Sequence, residues 1–143
     1  MSATVDANVL VYASNTSDPA FRPARALLER LAAGPDLVYL FWPTIMGYLR
    51  IVTHPGILPK PLTFAQASAN ISALLSRPHI RTAGEGTGFW ELFLATAGGP
   101  IRGNDVPDAH LATLMRQHGV DTIYTRDRDF RRYEGITVRD PLA

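Results

Sequence analysis

Thr122-Ile123-Tyr124-Thr125-Arg126-Asp127-Arg128-Asp129-Phe130 runs from a short β-branched and aromatic stretch straight into a pair of acids. The stretch reads as a strand, and Asp127 and Asp129 follow at its carboxyl end. In an open α/β sheet, ligands bind outside the carboxyl ends of the strands. Outward from here, two further acids occupy comparable places. Asp6 follows Thr4-Val5, and Asp108 lies at the start of the helix that precedes the Asp127 strand. Three segments far apart in sequence each bring a carboxylate towards one edge of one sheet. Such a set suits a hard divalent cation.

Between these segments the chain alternates strands with helices. Val5, Val9, Leu10 and Val11 read as a buried strand running into a short helix. Leu37–Leu40, His79–Thr82, Thr122–Thr125 and Ile136–Arg139 read as further strands. Helices are predicted over Pro23–Ala33, Pro43–Thr53, Gly88–Thr96 and Asp105–His118, the last stopped by Gly119. Pro43–Thr53 is apolar on most sides and reads as buried. Thr63 is expected to cap another helix, with Ala67, Ile71, Leu74 and Leu75 turned inward before Arg77-Pro78 ends it. The alternation implies right-handed crossovers and a mostly parallel sheet in an α/β protein. Without repeats or linkers, the 143 residues are expected to form one domain.

Composition narrows the function without naming it. The hydrophobic share of 46% and charged share of 19% are those of an ordinary globular protein. Nothing in the sequence has the length of a membrane span or the pattern of a signal peptide. Cysteine is absent, which excludes disulfides and thiolate metal sites and fits a cytoplasmic protein. Net charge is +1, but the basic residues are arginines except for Lys60. Arginine suits phosphate, although a GC-rich coding bias produces the same excess. Gly84-Glu85-Gly86-Thr87-Gly88 lacks the third glycine of a dinucleotide loop, since position 89 is Phe89, and reads as a flexible connection. The histidines at 54, 79, 110 and 118 lack zinc spacing.

Each acidic motif also has a structural reading. Asp6 or Asn8 would suit a helix N-cap. With Asp105 as cap, Asp108 falls in a first helical turn, where the helix dipole favours negative charge. Asp127 and Asp129 would suit a turn, neutralised by Arg126, Arg128, Arg131 and Arg132. His110 points to a different face from Asp108 and reads as packed or surface-exposed. A receiver-like phosphoryl acceptor would need an acidic doublet on the first strand, and Met1 to Val5 holds no acid.

Taken together, Val5-Asp6-Ala7-Asn8-Val9-Leu10, Pro107-Asp108-Ala109-His110-Leu111-Ala112 and Thr125-Arg126-Asp127-Arg128-Asp129-Phe130 resemble the PIN-domain family, specifically its VapC-type toxin ribonucleases. The resemblance covers residues 4 to about 139. It implies a three-layer α/β/α sandwich with a mostly parallel four- or five-stranded sheet. It also implies a Mg²⁺- or Mn²⁺-dependent endoribonuclease. Asp6, Asp108 and Asp127 match the family's catalytic, metal-binding acids, and Asp129 a commonly acidic position just after them. Asn8 and Thr125 match supporting positions, and Arg126 and Arg128 are candidates for binding the RNA backbone. A VapB-type antitoxin that wraps the toxin, and a homodimer, are implied as partners. The helices Pro23–Ala33 and Pro43–Thr53 are candidate walls for the antitoxin groove.

One position departs from the pattern. The family places a glutamate-x-x-arginine pair in the helix after the second strand. Here that helix reads Met46-Gly47-Tyr48-Leu49-Arg50, so Gly47 replaces the glutamate while Arg50 stays in register. Mg²⁺ often takes one or two protein carboxylates and keeps its waters, so the loss bears on a second metal. Glu85, Glu91 and Asp105 are candidates to compensate. The alternative expectation is a catalytically impaired PIN domain that acts by binding RNA or a protein.

Overall fold

A computed structural model describes residues 2–142. Five strands form one sheet: β1 (Ser2–Val5), β2 (Leu37–Phe41), β3 (Ile80–Ala83), β4 (Thr122–Tyr124) and β5 (Thr137–Arg139). Their order is β3-β2-β1-β4-β5, and every pairing is parallel. The expected α/β/α sandwich is therefore borne out, with five strands rather than four and a wholly parallel sheet.

The reason is legible in β2. Leu37-Val38-Tyr39-Leu40-Phe41 is apolar without interruption, as a strand covered on both faces requires. Val38 and Leu40 enter a core with Val5, Val9, Leu27 and Ile71. Phe41 and the partly buried Tyr39 enter the opposite core with Leu114, Met115 and Ile123. Alternate side chains thus serve two helical layers.

The first layer holds α1 (Ala7–Tyr12), α2 (Phe21–Ala33), α3 (Trp42–Val52) and α4 (Phe64–Leu75); the second holds α5 (Phe89–Ala97) and α6 (Asp105–Gln117). Thr63 caps α4 as expected, accepting from the Gln66 amide while the Gln66 side chain accepts from the Thr63 amide. Gly119 follows the end of α6 with φ +68°, the left-handed geometry of a helix stop.

Three local expectations are corrected. The N-cap position of α6 is Asn104, and Asp105 is the first helical residue. The N-cap position of α1 is Asp6, which puts Asn8 inside the helix. Helix α3 is buried along Thr44, Ile45, Tyr48 and Val52 but exposes Trp42 and Met46, so it is one-sided rather than enclosed. No helix among the described residues is long and apolar enough to cross a membrane.

Candidate functional site

Strand order locates the site. From β1 the chain builds outward to β2 and β3 on one side, and to β4 and β5 on the other. The order reverses between β1 and β4, the switch point at which an open parallel sheet leaves a crevice at its carboxyl edge. Val5 pairs with Tyr124 there. The next residues on each strand, Asp6 and Thr125, face each other across that crevice.

Thr125 organises the junction. Its side chain is buried, and its hydroxyl donates to Asp6 Oδ2 at 2.9 Å. The same hydroxyl accepts from the Asp127 amide at 3.0 Å. Asp127 Oδ1 in turn accepts from the Asp129 amide at 2.9 Å, which starts the short 3-10 turn Arg128–Arg132. One hydroxyl thus couples the first acid to the third, and a side-chain turn couples the third to the fourth.

Asp108 arrives from the first turn of α6. Carboxylate oxygens of Asp108, Asp127 and Asp129 lie within 4.8 Å of one another. Oxygens around an octahedral Mg²⁺ sit about 3–4 Å apart, so slight side-chain rotation closes this group on a cation. Hard oxygen donors without nitrogen or sulfur are also the chemistry that Mg²⁺ and Mn²⁺ select. Asp6 stands just outside this tight group, tied to it through Thr125.

Crowding marks the electrostatics. Burial pushes the Asp108 carboxyl up to about 7, helped by the charge of Asp127, a hydrogen bond with Asp127 and the charge of Asp6; Arg132 works against the shift. Burial also raises Asp6, opposed by the Thr125 hydroxyl and the amides of Asn8 and Ala7, and reinforced by Asp127. Like charges brought this close disfavour full ionisation unless a cation joins them.

The other expected residues are placed as follows. Asn8 is exposed on α1, and the side-chain bond to Asp6 comes from Thr125 instead. Arg50 is exposed on α3, one turn beyond Gly47. Arg126 lies over the Tyr12 ring, 5.7 Å from its centroid, and Arg128 is exposed. Gly47 sits against α1: a Cβ built there meets only Ala7 Cβ, at an ordinary 3.8 Å. Ala7 follows Asp6, so the glycine opens space beside the first acid.

None of the three candidates for the missing carboxylate joins the tight acidic group. Glu85 pairs with His110 at 2.6 Å, and His110 packs its edge on Phe89. Asp105 is held by Arg132 at 3.4 Å. Glu91 lies exposed in the first turn of α5. The 84–88 segment is pinned rather than flexible, since Gly84 and Gly86 also bond to His118 and Gln117. Arg132, expected to neutralise Asp127 and Asp129, bonds Asp105 instead, and Tyr133 beside it carried no signal in the spacing.

A second concavity, of about 360 Å³, lies on the α1–α4 layer. Leu28 and Glu29 of α2 line one side and Ile71 and Leu74 of α4 the other, with Tyr48 at its base. Tyr48 Oη is bonded to Ser14 Oγ at 2.7 Å and to Asn70 Nδ2 at 3.1 Å. The walls of this concavity come from α2 and α4 with Leu10, Ala13 and Ser14 beside them, and α3 contributes Tyr48.

Residues 3–136 match the PIN domain family. The chain is 52% identical over 145 residues to Ribonuclease VapC48 of Mycobacterium tuberculosis (strain ATCC 25618 / H37Rv), with 100% of this chain and 99% of that relative covered. Among solved structures it is similar to VapBC2 from Rickettsia felis bound to a DNA fragment from their promoter, with a TM-score of 0.68, 17% identity and 98% of each chain covered. It is also similar to Mycobacterium tuberculosis VapC20, a Sarcin-Ricin loop cleaving toxin, with a TM-score of 0.62, 16% identity, and 94% of this chain and 98% of that chain covered.

Proposed function

This chain belongs to the PIN-domain family, in its VapC branch, and we propose that it is a metal-dependent endoribonuclease, the toxin of a VapBC-type pair. The observation that carries this reading is the convergence of Asp108, Asp127 and Asp129 at the switch point, with Asp6 linked to them by Thr125. Asp6, Asp108 and Asp127 would hold Mg²⁺ or Mn²⁺, with Asp129 completing the set on the solvent side. When bound, the cation supplies charge neutralisation at the scissile phosphate and a more acidic water.

The protein's own groups do the rest. Thr125 keeps Asp6 oriented and partly satisfied inside the fold. Asp129 is exposed at the rim, on the side from which water and RNA reach the acids. Arg126 and Arg128 flank Asp127 and meet the RNA backbone, which makes affinity fall with salt. The cytoplasm is the compartment that goes with this reading.

Calorimetric titration with Mg²⁺, alongside RNA cleavage on the same samples, tests the reading. Asp6→Asn and Asp127→Asn are expected to weaken metal binding at least about tenfold and to remove cleavage. Gly47→Glu, for which there is space beside Ala7, is expected to tighten binding. Metal bound as in the wild type by both asparagine variants would refute the assignment. Metal binding without cleavage in the wild type would favour the second reading, a PIN domain that acts by association; Gly47 is what favours it.

The groove between α2 and α4 is the place for the antitoxin. It combines apolar Leu28, Ile71 and Leu74 with a charged rim of Arg25, Glu29 and Arg77, which suits an amphipathic helix. Leu28→Arg should abolish co-purification with the co-expressed antitoxin while RNA cleavage persists. Retained co-purification would move the partner to another face. A homodimer is also part of this reading, carried over from the family.

A further inference from the structure

We propose that Arg132, Asp105 and the hollow beside them form a nucleotide subsite next to the acidic cluster, in which Arg132 grips an RNA phosphate adjoining the cleaved one. The proposal rests on the ribonuclease reading above. Arg132 is held from one edge. Its Nη2 donates to Asp105 Oδ1 at 3.4 Å and to Tyr133 Oη at 3.0 Å, and its guanidinium lies 5.0 Å from the centroid of the Tyr133 ring. Tyr133 is buried, at 4% exposure, so the platform is rigid. Nη1 and Nε make no hydrogen bond among the described residues, and 40% of the Arg132 side chain is open to solvent.

An arginine serving only to neutralise Asp105 would be expected to engage it through both prongs of its fork. Here a single long contact leaves the outer edge of the fork free, which is the geometry for receiving a phosphate. Asp105 and Asp108 are three residues apart on α6 and share a face, with Cβ atoms about 5–6 Å apart. Arg132 is bonded to Asp105, one helical turn before Asp108, so its guanidinium borders the acidic group.

An open depression adjoins Asp105 on the side of α6 away from its carboxyl end. It has a volume of about 340 Å³ and is lined by Pro100, Ile101, Arg102 and Asp105. Pro100 and Ile101 provide an apolar wall for a base or sugar. Arg102 is exposed and has no ion-pair partner among the described residues, so a second cation stands at the rim. In this arrangement Asp105 is a positioning residue that orients Arg132.

The test is binding of a fluorescein-labelled single-stranded RNA oligonucleotide, by anisotropy over a salt series, in the Asp6→Asn background. Steady-state cleavage of the same RNA is measured with Asp6 intact. Arg132→Ala is expected to weaken binding about tenfold and reduce the salt slope by about one. Its effect on cleavage should fall more on KM than on kcat, because a neighbouring phosphate is gripped equally before and during reaction. Arg132→Lys, which keeps charge but loses the fork, should weaken binding about threefold with an unchanged slope. Asp105→Asn should do the same. Arg22→Ala, an equal loss of charge on α2, should change neither. Wild-type affinity and slope in Arg132→Ala, or an equal drop in Arg22→Ala, would overturn the subsite. Absence of cleavage by the wild type would instead count against the ribonuclease reading, and the binding series would still decide the subsite.

Discussion

Asp108→Asn is expected to raise thermal stability and remove ribonuclease activity together. In the unfolded chain this carboxyl titrates at its ordinary 3.8; in the metal-free fold burial and the neighbouring Asp127 push it up to about 7. The folded state therefore binds more protons than the unfolded state over this interval, and stability falls as pH rises from about 4 through about 7. A shift of this size corresponds to about 4 kcal/mol. Asp108 is only partly buried, and solvent screening reduces the realistic figure to about 1–2 kcal/mol. Asparagine keeps the shape and removes the charge. At pH 8 without metal the variant should melt roughly 3–8 °C higher than the wild type, and at pH 4 the two should converge. Saturating Mg²⁺ should close the gap from the other side by stabilising only the wild type. Cleavage should drop at least about a hundredfold. A variant that melts below the wild type at pH 8 would show that Asp108 is stabilised, not crowded, by its surroundings.

Thr125→Val should have the opposite effect on stability and the same sign on activity. Valine matches threonine in shape, so packing is retained while both hydroxyl contacts vanish. Asp6 Oδ2 loses its side-chain donor, and the Asp127 amide loses its acceptor, at a site where Thr125 is 2% exposed. Two partly buried polar groups left unsatisfied cost about 1–3 kcal/mol in total, or roughly 3–10 °C in melting temperature for a domain of this size. Misorientation of Asp6 and Asp127 should lower metal affinity and cleavage about 10–100-fold. Thr125→Ser, which restores the hydroxyl, should recover most of both. Differential scanning calorimetry on the two variants decides the matter: equal melting of the valine and serine forms would mean that the hydroxyl bridge carries no weight.

The two predictions differ in sign because the site opposes the fold. Thr125 satisfies a buried acid, whereas Asp108 adds a charge where charge is already dense. Gly47 places no side chain beside Ala7 and Asp6, at a cost of about 1 kcal/mol in helix propensity. Arg132, bonded to Asp105 one turn before Asp108, relieves part of that density. A cation held by these acids would supply the missing neutralisation.

How much of this was legible beforehand depends on the range of the interaction involved. Leu37 to Phe41 announced a strand buried on both faces, and Thr63 with Gln66 announced a helix start, because periodicity and capping are properties of a few consecutive residues. The helix boundaries came within a residue or two for the same reason. The N-cap of α6 was misplaced by one, at Asp105 rather than Asn104, because several polar residues there satisfy the same local rule. The path of the 84–88 segment was not legible, since glycines license flexibility while Gln117 and His118, far along the chain, remove it.

By itself, then, the sequence determined the α/β class, the parallel sense of the sheet and the acids that stand at strand and helix ends. Hydrophobic period and turn chemistry are local, and they survive in a string of letters. Tertiary structure alone decided that β1 lies beside β4, so that Thr125 reaches Asp6 across 119 positions. It also decided that Asp129 joins Asp108 and Asp127 while Asp6 stands one bond away, and that Arg132 turns to Asp105. Those outcomes depend on which strands pair and how two cores pack against one sheet, and such long-range contacts leave no periodic trace in the segments they join.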